Sequence, residues 1–268
     1  MNKIPTINYC IGTYEGISCN KEKYKVAPKT NDLHKHMVRL AELIPSLKIP
    51  ITQITIVKPI SYGEKLSNYY RIEEWRKLIP VEIVVLDFDR PDLYSYGQWI
   101  HAYQNFPNFD YYIIMEDDYC FDHVDFTSIL LELFMKKVPS NIGYISSLAT
   151  DKLHGLDWHS AIPSGMISRE AMERHDMVYL SRYGAEVKGE GSDGGMIQYI
   201  FSRILVSKGV ELVDTSTEYR ALFWSDGISE NGEYFCYVQN FSPDKNVVDD
   251  LIVPTQTLSG FIVKNRYF

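Results

Sequence analysis

The chain has 268 residues, 45% hydrophobic and 23% charged, enough to bury a sizeable core in one large α/β domain or two small ones. A formal net charge of −8 argues against a general nucleic-acid binder, which needs a basic patch for phosphates. It leaves room for a small anionic ligand screened by a metal ion or local basic residues. No run approaches the roughly 18 apolar residues that cross a bilayer, and no signal-like apolar region opens the chain, so a soluble, cytoplasmic protein is expected.

In chain order, "TINYCIG" (6–12) reads as a strand closing on Gly12. In "NDLHKHMVRLAELIPSL", Asn31 or Asp32 is the expected N-cap, and Leu33, Met37, Leu40, Ala41 and Ile44 share one helical face. "ITQITIVK" is a second strand, "GEKLSNYYRIEEWRKL" a helix with a less clean face, and "VEIVVLDF" a third strand with Asp87 at its end. "SYGQWIHAYQNF" is a short helix and "DYYIIME" a fourth strand. The second half is less regular. "DFTSILLELFMKKV" is a helix with Asp125 as N-cap, "NIGYISS" a short strand, and "AIPSGMIS" a strand leading into a helix at "REAMERH". "SDGGMIQYIFSRILVSKG" is the clearest helix here, with Asp193 or Ser192 at its start and Gly209 after its last turn. "TEYRALFW", "EYFCYVQ" and "LSGFIVK" are short strand-like pieces.

Strand and helix alternating at this spacing give a Rossmann-like α/β fold, a mainly parallel central sheet flanked by helices. The strands are apolar on both faces, as such a sheet requires. Ligands gather beyond the carboxyl ends of these strands. Three polar clusters stand there and are expected to converge: Thr13-Tyr14-Glu15, Asp87 to Arg90, and Glu116-Asp117-Asp118. The four cysteines (Cys10, Cys19, Cys120, Cys236) form no C-x-x-C pair, which fits reduced thiols and makes a zinc cluster unexpected. The 20 tyrosines suit a cleft lined for sugars or bases, although AT-rich coding also favours them.

Glu116, Asp117 and Asp118 end an apolar strand in three consecutive acids. Carboxylates attract hard cations such as Mg2+ or Mn2+. One strand end supplies only one or two ligands, so water and a substrate diphosphate would complete the shell. Such a cation also stabilises a departing diphosphate as its charge grows. The plainer alternative is that one acid caps the next helix and another is solvated.

"IIMEDDYCFDHVDF" resembles the acidic signature of nucleotide-sugar-dependent glycosyltransferases of the GT-A fold, in the E-D-D variant seen in some inverting N-acetylglucosaminyltransferases. The likeness runs through roughly residues 5 to 210. It implies a GT-A-like sheet, a UDP- or GDP-sugar donor, a glycan or glycoconjugate acceptor, and Mn2+ or Mg2+ held directly by Asp118. Glu116 would lie near the donor's ribose or sugar, and Asp117 near the sugar or metal-bound water. "INYCIGTYEG" is similar to the strand and loop that hold the nucleotide, making Thr13, Tyr14 and Glu15 donor-side candidates. "VLDFDRPDLYSYGQWIHAY" resembles the segment where an acid, here Asp87, reads the base or ribose. "AIPSGMISRE" resembles the strand lining the sugar at Ser164, Gly165 and Met166. Lacking any Pro/Gly/Ser linker, the chain is expected to form one compact domain. Residues 1–125 would be its nucleotide-sugar half and 126–268 a smaller, irregular acceptor half.

The resemblance also implies a base: in inverting enzymes of this fold, a carboxylate at a helix N-terminus often removes the acceptor's proton. "GEGSDGGMIQYIF" offers Asp193, with Glu190 in reserve. The helix dipole favours an ionised Asp193, although aspartate also caps helices routinely. Trp158 and His159, in "LHGLDWHS", and Trp224, in "FWSDGISENGEYF", are acceptor candidates. Many metal-dependent members add a C-terminal histidine ligand. No histidine follows His175, so Asp118 is the sole direct ligand or a carboxylate such as Asp226 substitutes. Two other functions compete. A sugar-phosphate nucleotidyltransferase would carry a Gly-rich basic loop after its first strand, which "GTYEGISCNKEKYK" lacks. A non-catalytic carbohydrate-binding protein would have little reason to keep all three acids.

Overall fold

Strand β1 (Ile7–Gly12) is buried along its whole length, because both faces carry apolar side chains and both are covered. It is an interior strand of the central sheet in a computed structural model. That model describes residues 4–13, 32–60, 70–90, 93–117, 119–121, 124–147, 149–150, 157–160, 164–178, 180, 193–215, 221–228, 234–240, 249–252 and 262–264. In chain order there follow α1 (Asp32–Leu43), β2 (Gln53–Pro59), α2 (Ile72–Leu78), β3 (Glu82–Phe88), α3 (Tyr94–Asn105) and β4 (Tyr111–Glu116). Next come β5 (Tyr119–Phe121), α4 (Phe126–Lys137), β6 (Gly143–Ser146), β7 (Ala149–Thr150), β8 (His159–Ser160), β9 (Gly165–Ser168) and α5 (Arg169–Glu173). The chain continues through α6 (Asp193–Ser207), β10 (Glu211–Asp214), β11 (Ala221–Ile228), β12 (Tyr234–Asn240), β13 (Asp249–Ile252) and β14 (Ile262–Lys264).

Seven strands form the central sheet in the order β10-β6-β9-β4-β1-β2-β3. β9 is antiparallel to both of its neighbours, β4 and β6, and every other pairing is parallel. This is the mainly parallel α/β sheet with flanking helices that the sequence leads one to expect. The shorter strand pieces of the C-terminal region assemble into a second sheet, β13-β12-β11-β14-β5. It includes β5, from the first half of the chain, which runs antiparallel to β14.

Alternation along the strands sorts the core into two layers. Ile7, Tyr9 and Ile11 of β1, with Ile54 and Ile56 of β2, pack under Leu33, Met37 and Leu40 of α1 and Phe126, Leu130 and Phe134 of α4. Cys10, Val57 and Ile114 face the other way, onto Tyr96, Trp99 and Ile100 of α3 and Phe201 and Ile204 of α6. Trp99 and Phe201 are fully buried, and each makes an aromatic contact with Tyr96.

Helix ends follow local chemistry. Ser168 caps α5 by accepting from the Ala171 N–H. After α6, Gly209 adopts φ +75°, and the N–H groups of Gly209 and Val210 bond the Val206 and Leu205 carbonyls in a Schellman arrangement. The expected cap at Asp125 takes a different form. Asp125 does precede α4, but its carboxylate makes no cap bond to a backbone N–H of the helix. Instead it accepts from the Lys48 N–H and the Ser128 hydroxyl and pairs with Lys48 Nζ at 3.0 Å, tying the α1–β2 connection to α4. Burial pushes the Asp125 carboxyl up, but its bonds to Lys48 and Ser128 outweigh that and hold it below its ordinary value. A depressed carboxyl contributes stability that is full above the unfolded pKa, near 3.8, and is lost as pH falls through the folded value. Asp125→Ala is therefore expected to cost about 1–2 kcal/mol in urea unfolding at pH 7. The deficit should shrink at pH 3, and an equal loss at both pH values would contradict this assignment.

Candidate functional site

Six of the seven central strands run the same way, so their carboxyl ends share one edge of the sheet. Gly12 pairs with Glu116 and Lys58 with Asp87 at that edge. Ser146 of β6 and Gly165, which starts the antiparallel β9, pair there as well. Helix α6 leads into β10, whose first residue, Glu211, pairs with Gly143 at the opposite edge. The helix therefore runs back toward the carboxyl edge, and its N-terminal residue, Asp193, stands at that end. Converging here are the strand ends of the first half, the end of β6 beside the start of β9, and the start of α6.

At the centre the backbone is tightly set. The Asp117 N–H donates to the Gly12 carbonyl at 3.0 Å, and Asp117 is fully buried. Thr13 is also fully buried; its N–H and hydroxyl both reach the Val57 carbonyl, and its own carbonyl accepts from Gln98 Nε2. No side chain fits at Gly12: a Cβ would lie 2.6 Å from Gln98 Oε1 and 2.9 Å from Ser95 Cβ. Tyr94, the first residue of α3, has φ 51°, a left-handed conformation costly for an aromatic residue. The next residue, Ser95, donates its hydroxyl to Glu116 Oε1 at 2.7 Å and so fixes that carboxylate. Ser95→Ala is expected to lower stability by about 1–2 kcal/mol, the scale of a hydrogen bond to a charged group, as read by urea unfolding.

On the other side of β4 lies a buried hydroxyl cluster. Ser146 and Ser160 hydroxyls are 2.7 Å apart, and the Tyr144 hydroxyl is 3.1 Å from Ser160. Ser164 donates to Ser147 at 2.9 Å. Burial, with Glu116 nearby adding to it, outweighs the serine hydrogen bonds and pushes the Tyr144 hydroxyl up to about 12. Tyr144 is thus a neutral hydroxyl at any physiological pH. Gly165 has φ +151°, and a Cβ there would come within 2.0 Å of the Ile145 carbonyl oxygen, so this position requires glycine.

The expected site residues fall into three groups. Thr13, Asp87, Glu116, Asp117 and Gly165 share the carboxyl edge, and Asp193 heads the helix that reaches it. Asp87 is 64% exposed and paired with Lys58 Nζ at 2.6 Å. A second group is placed otherwise. The Met166 side chain is fully buried in the core with Ile113 and Ile145. His159 is buried, its Nδ1 2.8 Å from the Asp157 carbonyl and its ring edge-on to Tyr199. Trp158 is 38% exposed, and its indole N–H donates to the Leu212 carbonyl. Trp224 and Asp226 belong to β11 in the second sheet. Tyr14, Glu15, Asp118 and Glu190 lie outside the described residues.

Sequence reasoning missed Ser95, Gln98, Lys58 and Tyr70, whose roles come from neighbours distant in the chain. Among the described residues no three acids, histidines or cysteines are grouped closely enough to hold a metal ion. Glu116 and Asp117 are nonetheless hard oxygen donors, of the kind Mg2+ or Mn2+ accepts beside water and phosphate.

Neither a protein-family model nor a curated protein sequence matches the chain. Solved structures are similar at low identity. One is a mannosyltransferase from Pyrobaculum calidifontis in complex with GDP-Man and Mn2+, at 11% identity and a TM-score of 0.47, covering 80% of this chain and 55% of that one. Another is the inositol-1-phosphate CTP transferase from T. maritima, at 9% and 0.42, covering 80% and 87%. A third is glucosyl-3-phosphoglycerate synthase from Mycobacterium tuberculosis in complex with Mn2+, UDP-glucose and glycerol 3-phosphate, at 10% and 0.44, covering 78% and 70%. The chain spans little more than half the length of the first of these. At such distances a functional reading rests on the residues of the site.

Proposed function

We propose that the protein is a glycosyltransferase that moves a sugar from a nucleoside diphosphate donor, a UDP- or GDP-sugar, to a hydroxyl of a glycan or other glycoconjugate. The observation that carries this reading is the joining of Glu116 and Asp117 to the glycine end of β1, with Ser95 holding the Glu116 carboxylate. Residues 1–125 supply the donor half and 126–268 the acceptor half.

In this reading Asp118 is the direct ligand of Mn2+ or Mg2+, and Glu116 and Asp117 orient the donor sugar. The bound cation would supply charge compensation for the departing diphosphate. Tyr14, Glu15 and Asp87 face the nucleoside, the buried Thr13 anchors the strand end that precedes Tyr14, and Gly165 brings bare backbone up to the sugar. The acceptor oxygen forms a bond to the anomeric carbon as the bond from that carbon to the diphosphate breaks. Its proton passes to the carboxylate of Asp193, or to Glu190 in its place, and the configuration inverts. Trp158, with its exposed ring pinned through the indole N–H, and Trp224 are acceptor contacts.

The test is release of nucleoside diphosphate from a panel of UDP- and GDP-sugars in Mn2+, with glycan acceptors added. Release from one donor, stimulated by an acceptor, is expected. Formation of a nucleotide sugar from nucleoside triphosphate and sugar phosphate would instead make the protein a nucleotidyltransferase. Inertness toward every donor would count against both enzymes.

A further inference from the structure

Lys58 makes two contacts of different chemistry at the carboxyl edge. Its ammonium is 2.6 Å from Asp87 Oδ1, and it stands over the Tyr70 ring, 5.6 Å from the centroid. Tyr70 is itself fixed, its hydroxyl 2.8 Å from that of Thr13. Thr13 follows Gly12, whose carbonyl receives the Asp117 N–H. A continuous set of contacts therefore runs from Asp87 through Lys58, Tyr70 and Thr13 to the acidic strand end. The Lys58 side chain is 28% exposed and that of Asp87 64%, so a ligand can reach the pair from solvent.

An aromatic face beside a carboxylate is a recognition pair. The face takes a flat ring by stacking and the carboxylate accepts from a ring N–H. A lysine ammonium meets both demands in miniature, being a cation for the π face and a donor for the carboxylate. An incoming base would have to displace it. The freed ammonium then has a better partner close by. Neighbouring strands are about 4.8 Å apart, so β2 lies about two strand spacings, some 10 Å, from Glu116 across β1. Lys58 and Glu116 lean to opposite faces of the sheet, since Val57 packs toward α3 and Ser95 of α3 holds Glu116. The flexible four-carbon side chain would therefore present its charge to a phosphate lying beyond the strand ends.

Resting on the donor-site reading above, we propose that Lys58 stands in for the donor's base. Its ammonium occupies the Tyr70 face and the Asp87 carboxylate. A nucleotide whose base offers a flat ring and an N–H takes over both contacts and releases Lys58 to its diphosphate. Lys58 thereby ties base recognition to charge neutralisation, so that a diphosphate without a base gains little from it.

The two halves of the exchange separate in a titration experiment. Calorimetry would follow UDP and GDP in Mn2+, and uridine and guanosine at millimolar concentration, with wild type, Lys58→Ala and Lys58→Arg. Lys58→Ala is expected to bind the preferred diphosphate about 10- to 100-fold more weakly, the scale of a charge-assisted hydrogen bond. It should bind the matching nucleoside about 3- to 10-fold more tightly, because a partly exposed ion pair no longer has to be broken. Lys58→Arg, which keeps the charge, should stay within about threefold of wild type for the diphosphate. Weakening of nucleoside and diphosphate by one common factor would overturn the proposal, since Lys58 would then merely hold the site together. Unchanged diphosphate binding in Lys58→Ala would overturn it too. Failure of wild type to bind any nucleotide would bring down the donor-site reading itself, an outcome distinct from both.

Discussion

Asp193→Ala is expected to bind the nucleotide-sugar donor as wild type does and to transfer its sugar about 10^3-fold more slowly, within the range attributed to a general base. Asp193 is the first residue of a 15-residue helix directed at the carboxyl edge of the sheet. The aligned peptide dipoles of that helix favour a negative charge at its start. On the proposed reading that carboxylate takes the proton as the acceptor attacks. A residue that only terminates the helix would behave differently. Its replacement would cost about 1 kcal/mol of stability and leave turnover per folded molecule unchanged. Measuring kcat, donor Kd and thermal unfolding on the same preparations separates the cases. Unaltered kcat would remove Asp193 as the base and direct the same test to Glu190.

The second large effect is acid sensitivity at His175. Its ring stacks on Phe201 of α6 with centroids 5.1 Å apart, and neither ring nitrogen has a hydrogen-bond partner among the described residues. Burial lowers its pKa from 6.5 to about 3, with Asp176 opposing the shift. Because the folded pKa is depressed, the unfolded chain binds the extra proton first. Stability is full above about pH 6.5 and falls as pH drops through the window down to about 3. At pH 4 this one group is expected to cost about 3 kcal/mol relative to pH 7. His175→Leu should remove that component and stay folded at a pH where wild type melts. The readout is the urea midpoint of both proteins at pH 7 and pH 4. Parallel pH dependence in the two would show that the acid response lies elsewhere. Phe201 also touches Tyr96, Tyr144 and Trp99, so charging His175 would disturb the packing that seats α6 beside the site.

The sheet was legible because burial on both faces leaves a plain mark in sequence. "INYCIG" and "YYIIME" are too apolar for half-exposed strands, and helices at the intervals between them dictate parallel pairing. The same logic located the carboxyl edge and its acids. Side-chain destinations were less legible, since they depend on partners far away in the chain. Nothing near Asp125 announces that Lys48, 77 residues away, will claim its carboxylate. Nothing in "ITIVK" tells that Lys58 will meet Asp87, because that pairing is a matter of register between β2 and β3. The burial of Met166 and His159 was illegible for a related reason: adjacency to a glycine or an exposed tryptophan does not fix which way a neighbour points. Ser95 carried no signal of its own, yet a left-handed residue before it delivers its hydroxyl to Glu116.

The decisive measurement is titration calorimetry of the full chain with UDP and GDP, in Mn2+ and in EDTA, with Asp118→Ala alongside. A nucleotide-sugar site at the acidic end of β4 requires that one of the two diphosphates bind in Mn2+. That binding should weaken at least about tenfold both in EDTA and in the variant. Binding of neither nucleotide under either condition would contradict it.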